Sequence, residues 1–301
     1  MKKFLITLAL ITGFAQAQTV EMIVPFPPGG ASDTVARLVQ QEIVKDTGIS
    51  VIAVNKPGAD GSIAAREFLS PGKTTDRILI VTTGTSLFNK LTRQEQNTSI
   101  DPIDDFEIVG PIATSNTIVA VHADSKIQSL AELESIARNQ VVNCGTSNAM
   151  GIFFVRTWAA KKQLKINVIP FKGGADLLSN IMGKHIDCAI APWFELSGKN
   201  TIRPIATSTR DSQFGSNLPL MDLGAYKFYN FYAVSFHKGM NPVLRQKISS
   251  VLMNLKQQPE FIRSMQERGF FVPVARIDFT QILQHDYRTL EQIRTTLPPA
   301  Q

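Results

Sequence analysis

Cysteine and histidine are scarce in this sequence. Cys144 and Cys188 are the only two cysteines, and His122, His185, His237 and His285 stand far from one another. That excludes finger-type and triad metal sites, which need Cys or His ligands at short spacing. There is no Gly-x-Ser-x-Gly nucleophile turn and no phosphate-binding Lys loop, so no catalytic residue, metal or cofactor is assigned. Past residue 17 no apolar run approaches the roughly 20 residues of a membrane-spanning helix. Lys and Arg outnumber Asp and Glu, for a net charge of +6. The basic residues are scattered and not interleaved with aromatics, which argues against nucleic acid and for a small anion as partner.

The N-terminus is where apolar residues do concentrate. Lys2 and Lys3 precede an apolar stretch over 4–15, followed by Ala15-Gln16-Ala17, a small-x-small cleavage site. The pattern is that of a secretory signal peptide over 1–17, cleaved after Ala17, with the mature chain starting at Gln18 in the periplasm. No Cys follows the site, which argues against a lipoprotein anchor. An oxidising compartment leaves a disulfide open to Cys144 and Cys188. Both lie in apolar strand-like segments, however, and the reading favours two small buried hydrophobes over a bridge.

From residue 18 onward, strands and helices alternate. Apolar patterning predicts strands over 20–24, 50–54 and 77–82, with helices over 32–45 and 63–69. Two further short apolar runs occupy 106–112 and 117–121. Ser129-Leu130-Ala131-Glu132 is a capping box that opens a helix through Arg138. Strands are then expected over 141–144, 166–170, 186–190 and 203–207, with helices over 152–161 and after Lys172. In the tail, Asn241-Pro242 caps a helix, Pro259 opens another that stops at Gly269, and Asp278 caps the last. Strands alternating with helices indicate an α/β fold with mainly parallel sheets, which place ligands beyond the carboxyl ends of the strands.

Two glycine turns occur twice. Gly29-Gly30-Ala31-Ser32-Asp33 echoes Gly173-Gly174-Ala175-Asp176, each between a strand and a helix, and Thr83-Gly84-Thr85-Ser86 echoes Cys144-Gly145-Thr146-Ser147. Their order is reversed between the halves, so this is no tandem repeat. It suggests two α/β lobes, each presenting two polar turns to a shared cleft. The first of these turns follows Pro27-Pro28 and leads into a helix. There glycines let backbone approach an anion, and the first N–H groups of the helix have no intrahelical acceptor.

The run Ile23-Val24-Pro25-Phe26-Pro27-Pro28-Gly29-Gly30-Ala31-Ser32-Asp33, with Ala36-Arg37, resembles the opening motif of the Bug family. These are the extracytoplasmic solute receptors of tripartite tricarboxylate transporters. The resemblance continues through Asn55-Lys56-Pro57-Gly58-Ala59, Gly84-Thr85, Asp101-Pro102 with Asp105-Phe106, Ser129 to Leu133, Phe171-Lys172-Gly173-Gly174-Ala175 and the tail from Asn241. It implies a two-lobed, type II-like periplasmic-binding-protein fold that closes on a small carboxylate like a Venus flytrap. Lobe 1 would comprise 18–121 plus 226–301, and lobe 2 would comprise 122–225.

The same resemblance implies that a carboxylate lies against Pro28, Gly29, Gly30, Ala31, Ser32 and Asp33. Further contacts would come from Gly84, Thr85 and Ser86, from Thr146, Ser147 and Asn148, and from Lys172, Gly173 and Gly174. Chemically, the hydroxyls and the amide can donate without carrying charge, although ordinary turn capping accounts for such residues equally well. Asp33 would repel a carboxylate directly, and so reads as a first-turn helix stabiliser or as a group that orients a water or an ammonium.

The chain departs from the family on the second lobe. Family members commonly carry an Asp–Asn pair after the strand over 186–190, whereas this chain has Ala191-Pro192-Trp193. Asn148-Ala149-Met150-Gly151 stands where a Gly/Ser-rich loop ending in His is frequent. The opposing wall is therefore expected to be more apolar, with Trp193 or Phe194 against the ligand's carbon skeleton or, the favoured alternative, packed in the core. The expected function is a monomeric receptor, not an enzyme, that captures a small organic anion such as a mono- or dicarboxylate or an amino acid. It would hand the ligand to membrane transporter subunits. The alternatives are a ligand sensor for a membrane signalling protein, a degenerate receptor with altered ligand, and a secreted enzyme on the same lobes.

Overall fold

The structure is a computed structural model, and it describes residues 19–72, 74–92, 101, 103–209, 218–221, 229–273 and 279–296. The signal-peptide segment and the Asp278 cap lie outside the described residues. In chain order the elements are β1 Thr19–Val24, α1 Ala31–Thr47, β2 Ser50–Asn55, α2 Ser62–Leu69, β3 Arg77–Thr82, α3 Asn89–Thr92, β4 Glu107–His122, α4 Leu130–Asn139, β5 Val142–Thr146, α5 Ala149–Lys162, β6 Ile166–Pro170, α6 Gly174–Met182, β7 Cys188–Pro192, α7 Trp193–Leu196, β8 Ile202–Thr207, β9 Tyr229–Phe236, α8 Pro242–Leu255, α9 Pro259–Glu267 and α10 Phe279–Thr296.

Two sheets share one long strand. The first runs β2-β1-β3-β9-β4 and the second runs from β4 through β7 and β5 to β6, with β8 also paired to β4. The strands β1, β2 and β3 are mutually parallel, as are β5, β6 and β7. The strands that link the sheets run against them: β9 is antiparallel to β3 and β4, and β4 is antiparallel to β7 and β8. Each sheet is thus a mixed one, built on a parallel α/β core.

The apolar runs 106–112 and 117–121, expected as separate segments, are one continuous strand. Residues Glu107 to Asn116 of β4 pair with β9, and Thr117 to His122 pair with β7 and β8. The chain passes from one sheet to the other between Asn116 and Thr117. The polar Thr114-Ser115-Asn116 stretch reads as a break in sequence, but Ser115 and Asn116 are buried and their backbone stays in register with Asn230 and Tyr229. β9 has no counterpart among the expected strands.

Helices cover both faces of each sheet. Val35, Ala36, Val39 and Ile43 of α1 pack with Leu244, Ile248, Val251 and Leu252 of α8 on one face of the first sheet. On the other face Phe68 of α2 and Leu283 and Leu290 of α10 join a core that continues into lobe 2 through Phe153, Phe154 and Trp158 of α5. Leu177 and Ile181 of α6 and Leu196 of α7 cover the remaining face of the second sheet. β3 is buried along its whole length, as the central strand of such a layering must be. Even its Arg77 is buried, its guanidinium donating to the carbonyls of Glu67 and Ser70 at 2.7 and 2.6 Å.

One expectation is overturned here. Cys144 and Cys188 face each other in register on the parallel strands β5 and β7 and form a disulfide, not a pair of free thiols. Both are fully buried, in keeping with the apolar setting of the two segments. Residues 44 apart in sequence meet only because β5 and β7 are neighbours in the sheet.

Candidate functional site

The loop from β1 to α1 is held by its own helix. Gly29 takes a φ of 79°, and Gly30 is an extended N-cap that carries no side-chain cap. Asp33 is 3 % exposed and folds back onto the loop. Its Oδ2 accepts from the Gly29 N–H and from Arg37 Nε, both at 2.9 Å, and its Oδ1 accepts from Asn55 Nδ2 at 3.0 Å. Asn55 Nδ2 also donates to the Phe26 carbonyl at 2.9 Å. Burial pushes the Asp33 carboxyl upward, but the hydrogen bonds from Arg37, Gly29 and Asn55 outweigh it and hold the group below its ordinary value.

Of the roles expected for Asp33, the geometry gives that of a first-turn brace. It is spent on the loop. The N–H groups of Ala31 and Ser32, at the positive end of a 17-residue helix, have no acceptor among the described residues. Both residues are largely closed off from solvent, a setting in which an anion's attraction to a helix end is least screened.

The turn after β3 closes on itself. Gly84–Phe88 winds as a single π-type turn. Thr85 Oγ1 accepts from the Thr82 N–H at 2.6 Å and donates to the Thr82 carbonyl at 3.1 Å, and Ser86 Oγ donates to the same carbonyl at 2.8 Å. Both hydroxyls are buried and occupied by the turn, so turn capping accounts for them. Thr83 Oγ1 accepts from the Phe231 N–H of β9 at 3.1 Å, which ties this turn to the neighbouring strand.

On lobe 2, Asn148 caps α5, its Oδ1 accepting from the Gly151 N–H at 2.8 Å, and Thr146 is fully buried with Oγ1 3.5 Å from the Asn148 carbonyl. Lys172 is exposed, and its N–H lies 3.5 Å from Asp176 Oδ2. Gly173 is the N-cap of α6, without a side-chain cap. Trp193 and Phe194 pack against the C-terminal tail. A Cβ on Gly269 would sit 3.0 Å from Trp193 Cδ1, and the Phe194 ring stacks on Phe270 at 4.9 Å between centroids. Packing, the favoured alternative for these two aromatics, accounts for both.

Two carboxyls at the lobe junction stand outside the residues that the sequence points to. Asp60, at a φ of 48° in the short 3-10 turn Ala59–Gly61, accepts from the backbone N–H of Ala149 at the start of α5. That contact joins the turn after β2 of the first sheet to the helix that follows β5 of the second. Burial raises the Asp60 carboxyl, and the bond from Ala149 opposes the shift.

Glu195 follows Trp193 and Phe194 on α7. Its carboxyl lies against Gly174, where a Cβ would come within 2.7 Å of Glu195 Cδ and would push that side chain aside. Burial pushes Glu195 up from 4.5 to about 7, opposed by the neighbouring Ser147 hydroxyl, and its charge in turn helps raise the buried Tyr232 phenol. The only sequence signal for Asp60 is its Pro-Gly-rich loop. Glu195 has no signal, because its partners Ser147, Gly174 and Tyr232 come from three distant segments.

Comparisons with known proteins bear on the family and the fold. A curated protein of Agrobacterium vitis, described as a UPF0065 protein in the TAR-I ttuE-ttuC' intergenic region, is 28% identical over 289 residues, covering 90% of this chain and 82% of that protein. Protein BugT of Bordetella pertussis is 24% identical over 281 residues, covering 88% of this chain and 84% of its own. Among solved structures, Rpa4515 of R. palustris with adipate superposes with a TM-score of 0.83 at 21% identity, covering 94% of this chain and 98% of that one. The family model described as "Tripartite tricarboxylate transporter family receptor" matches residues 35–293, and the chain belongs to that family.

Proposed function

We propose that this protein is a periplasmic receptor that captures a small organic anion between its lobes and delivers it to the membrane subunits of a tripartite tricarboxylate-type transporter. The observation that carries the reading is the start of α1. Two N–H groups without acceptors among the described residues stand at a positive helix end, and the one acidic side chain of that turn is tied back by Gly29, Arg37 and Asn55. An anion placed there meets donors, and the nearest negative charge, Asp33, is already paired with Arg37. Membership of the receptor family and the adipate that accompanies Rpa4515 of R. palustris support a carboxylate as that anion. The same reading takes 1–17 as a cleaved signal peptide, the mature protein as a monomer, and the turns at 28–33, 84–86, 146–148 and 172–174 with Trp193 as the cleft surround.

Receptor function requires that the ligand favour one lobe arrangement over another. After removal of any copurified ligand, a C3–C8 carboxylate in excess over its Kd should raise the melting temperature by several degrees. A panel of C3–C8 mono- and dicarboxylates and amino acids that left the melting temperature unmoved would overturn the reading.

A further inference from the structure

Glu195 is the buried charged group of the cleft that the carboxylate-binding scheme leaves unused. Its Oε2 is closed off from water, and the donor it faces is the neutral Ser147 hydroxyl, itself enclosed. One neutral hydroxyl offsets little of the desolvation cost of a buried carboxylate. The rest of the Glu195 side chain is less enclosed, since the residue as a whole keeps intermediate exposure. Three segments meet at Glu195: Ser147 from the turn after β5, Gly174 from the start of α6 and Tyr232 from β9.

We infer that Glu195, with Ser147, is a specificity-determining subsite for a cationic hydrogen-bond donor on the ligand, so that the receptor prefers carboxylates that also bear an amino group over plain dicarboxylates. The inference rests on the receptor reading above. A ligand ammonium would give Glu195 Oε2 a charged donor beside the neutral Ser147 hydroxyl and would neutralise a charge that burial makes costly. A second ligand carboxylate at the same place would meet like charge. Near this subsite Tyr232 carries no charge in the neutral range, because burial raises its phenol, and the nearby cation Lys172 is exposed. No basic group is buried against Glu195 in place of the ligand, among the described residues.

The discriminating measurement is calorimetric titration of ligand-free protein with matched pairs of acids. Each pair has the same chain length, one member ending in an amino group or carrying it at the α-position and the other ending in a second carboxylate. The wild type should bind the amino member more tightly by on the order of tenfold or more, the scale of one charge-assisted hydrogen bond. Glu195→Gln, nearly the same shape without the charge, should bring that ratio close to one or reverse it. Ser147→Ala reports on the same ratio from the other side of the pair if Glu195→Gln fails to fold. A wild type that prefers dicarboxylates, or a ratio that Glu195→Gln leaves unchanged, would sink the subsite and leave the receptor reading intact. Absence of binding by every acid would instead strike the receptor reading itself.

Discussion

At the scale of single residues, the chemistry of the α1 turn depends on Asp33 being folded back onto its own loop. Its carboxylate collects three donors, one from the loop, one from the helix and one from the end of β2. Asp33→Ala strands the Gly29 N–H and the Asn55 amide and frees Arg37, which should cost about 2–3 kcal/mol in chemical denaturation. The pH dependence follows from the lowered carboxyl. Its stabilising effect is complete above the unfolded value near 3.8 and is lost as pH falls through the still lower folded value. Wild-type stability should therefore drop more steeply than that of Asp33→Asn on acidification below about pH 4, as read from urea midpoints across pH. An equal slope in both proteins would remove Asp33 from the account.

The motif Pro27 to Asp33 is legible in sequence because strand, glycine and helix-start signals are all local. The fate of its polar groups is not, since Asn55 lies 22 residues away and reaches Asp33 only through the pairing of β1 with β2. Likewise, Thr85 and Ser86 are donors by residue type. Only the folded turn shows both hydroxyls already engaged with Thr82.

At the scale of elements, the disulfide between β5 and β7 has a positional consequence. It joins the two strands whose carboxyl ends carry Ser147 and the Trp193-to-Glu195 turn. Closing a loop of 44 residues restricts the unfolded chain by about 4 kcal/mol on the chain-entropy model. The paired substitution Cys144→Ala with Cys188→Ala should lower the melting temperature by roughly 10 °C. It should also weaken ligand binding if the bridge fixes the spacing of these two turns. Intact binding with the lowered melting temperature would confine the bridge to stability. Helix boundaries such as Ser129 before α4 and Asn241-Pro242 before α8 are readable, because caps act within four residues. β9 and the continuity of β4 are not. Both depend on pairing between segments more than 100 residues apart, and polar residues that a buried ladder tolerates look like loop in sequence.

At the scale of the molecule, the lobes meet through Asp60 and the start of α5. The Asp60 carboxyl, from the turn after β2, accepts from a backbone N–H at the start of α5. On the receptor reading proposed above, this contact would hold the lobes together before ligand binds. Asp60→Ala removes it and should shift the unliganded protein toward open forms, seen as a larger radius of gyration in X-ray scattering that ligand reverses. A radius unchanged from wild type would mean that the remaining packing through α5 keeps the lobes together. Burial raises the Asp60 carboxyl, so its contribution is present below the ordinary carboxylate value and declines as pH rises through the folded value. Asp60→Asn, which keeps an acceptor without the charge, should therefore match or exceed wild-type stability at neutral pH.

By itself the sequence determined the α/β class, most element positions, the anion-suited helix start and the receptor family, because periodicity, caps and glycine turns act over a few residues. Only the tertiary structure decided which polar groups remain for a ligand. It paired Cys144 with Cys188, turned Asp33 onto its own loop, joined Asp60 to α5 and set Glu195 beside Ser147 and Gly174. Each of these but the Asp33 turn is a contact between segments far apart in the chain, fixed by strand order and sheet crossing, which no local pattern encodes.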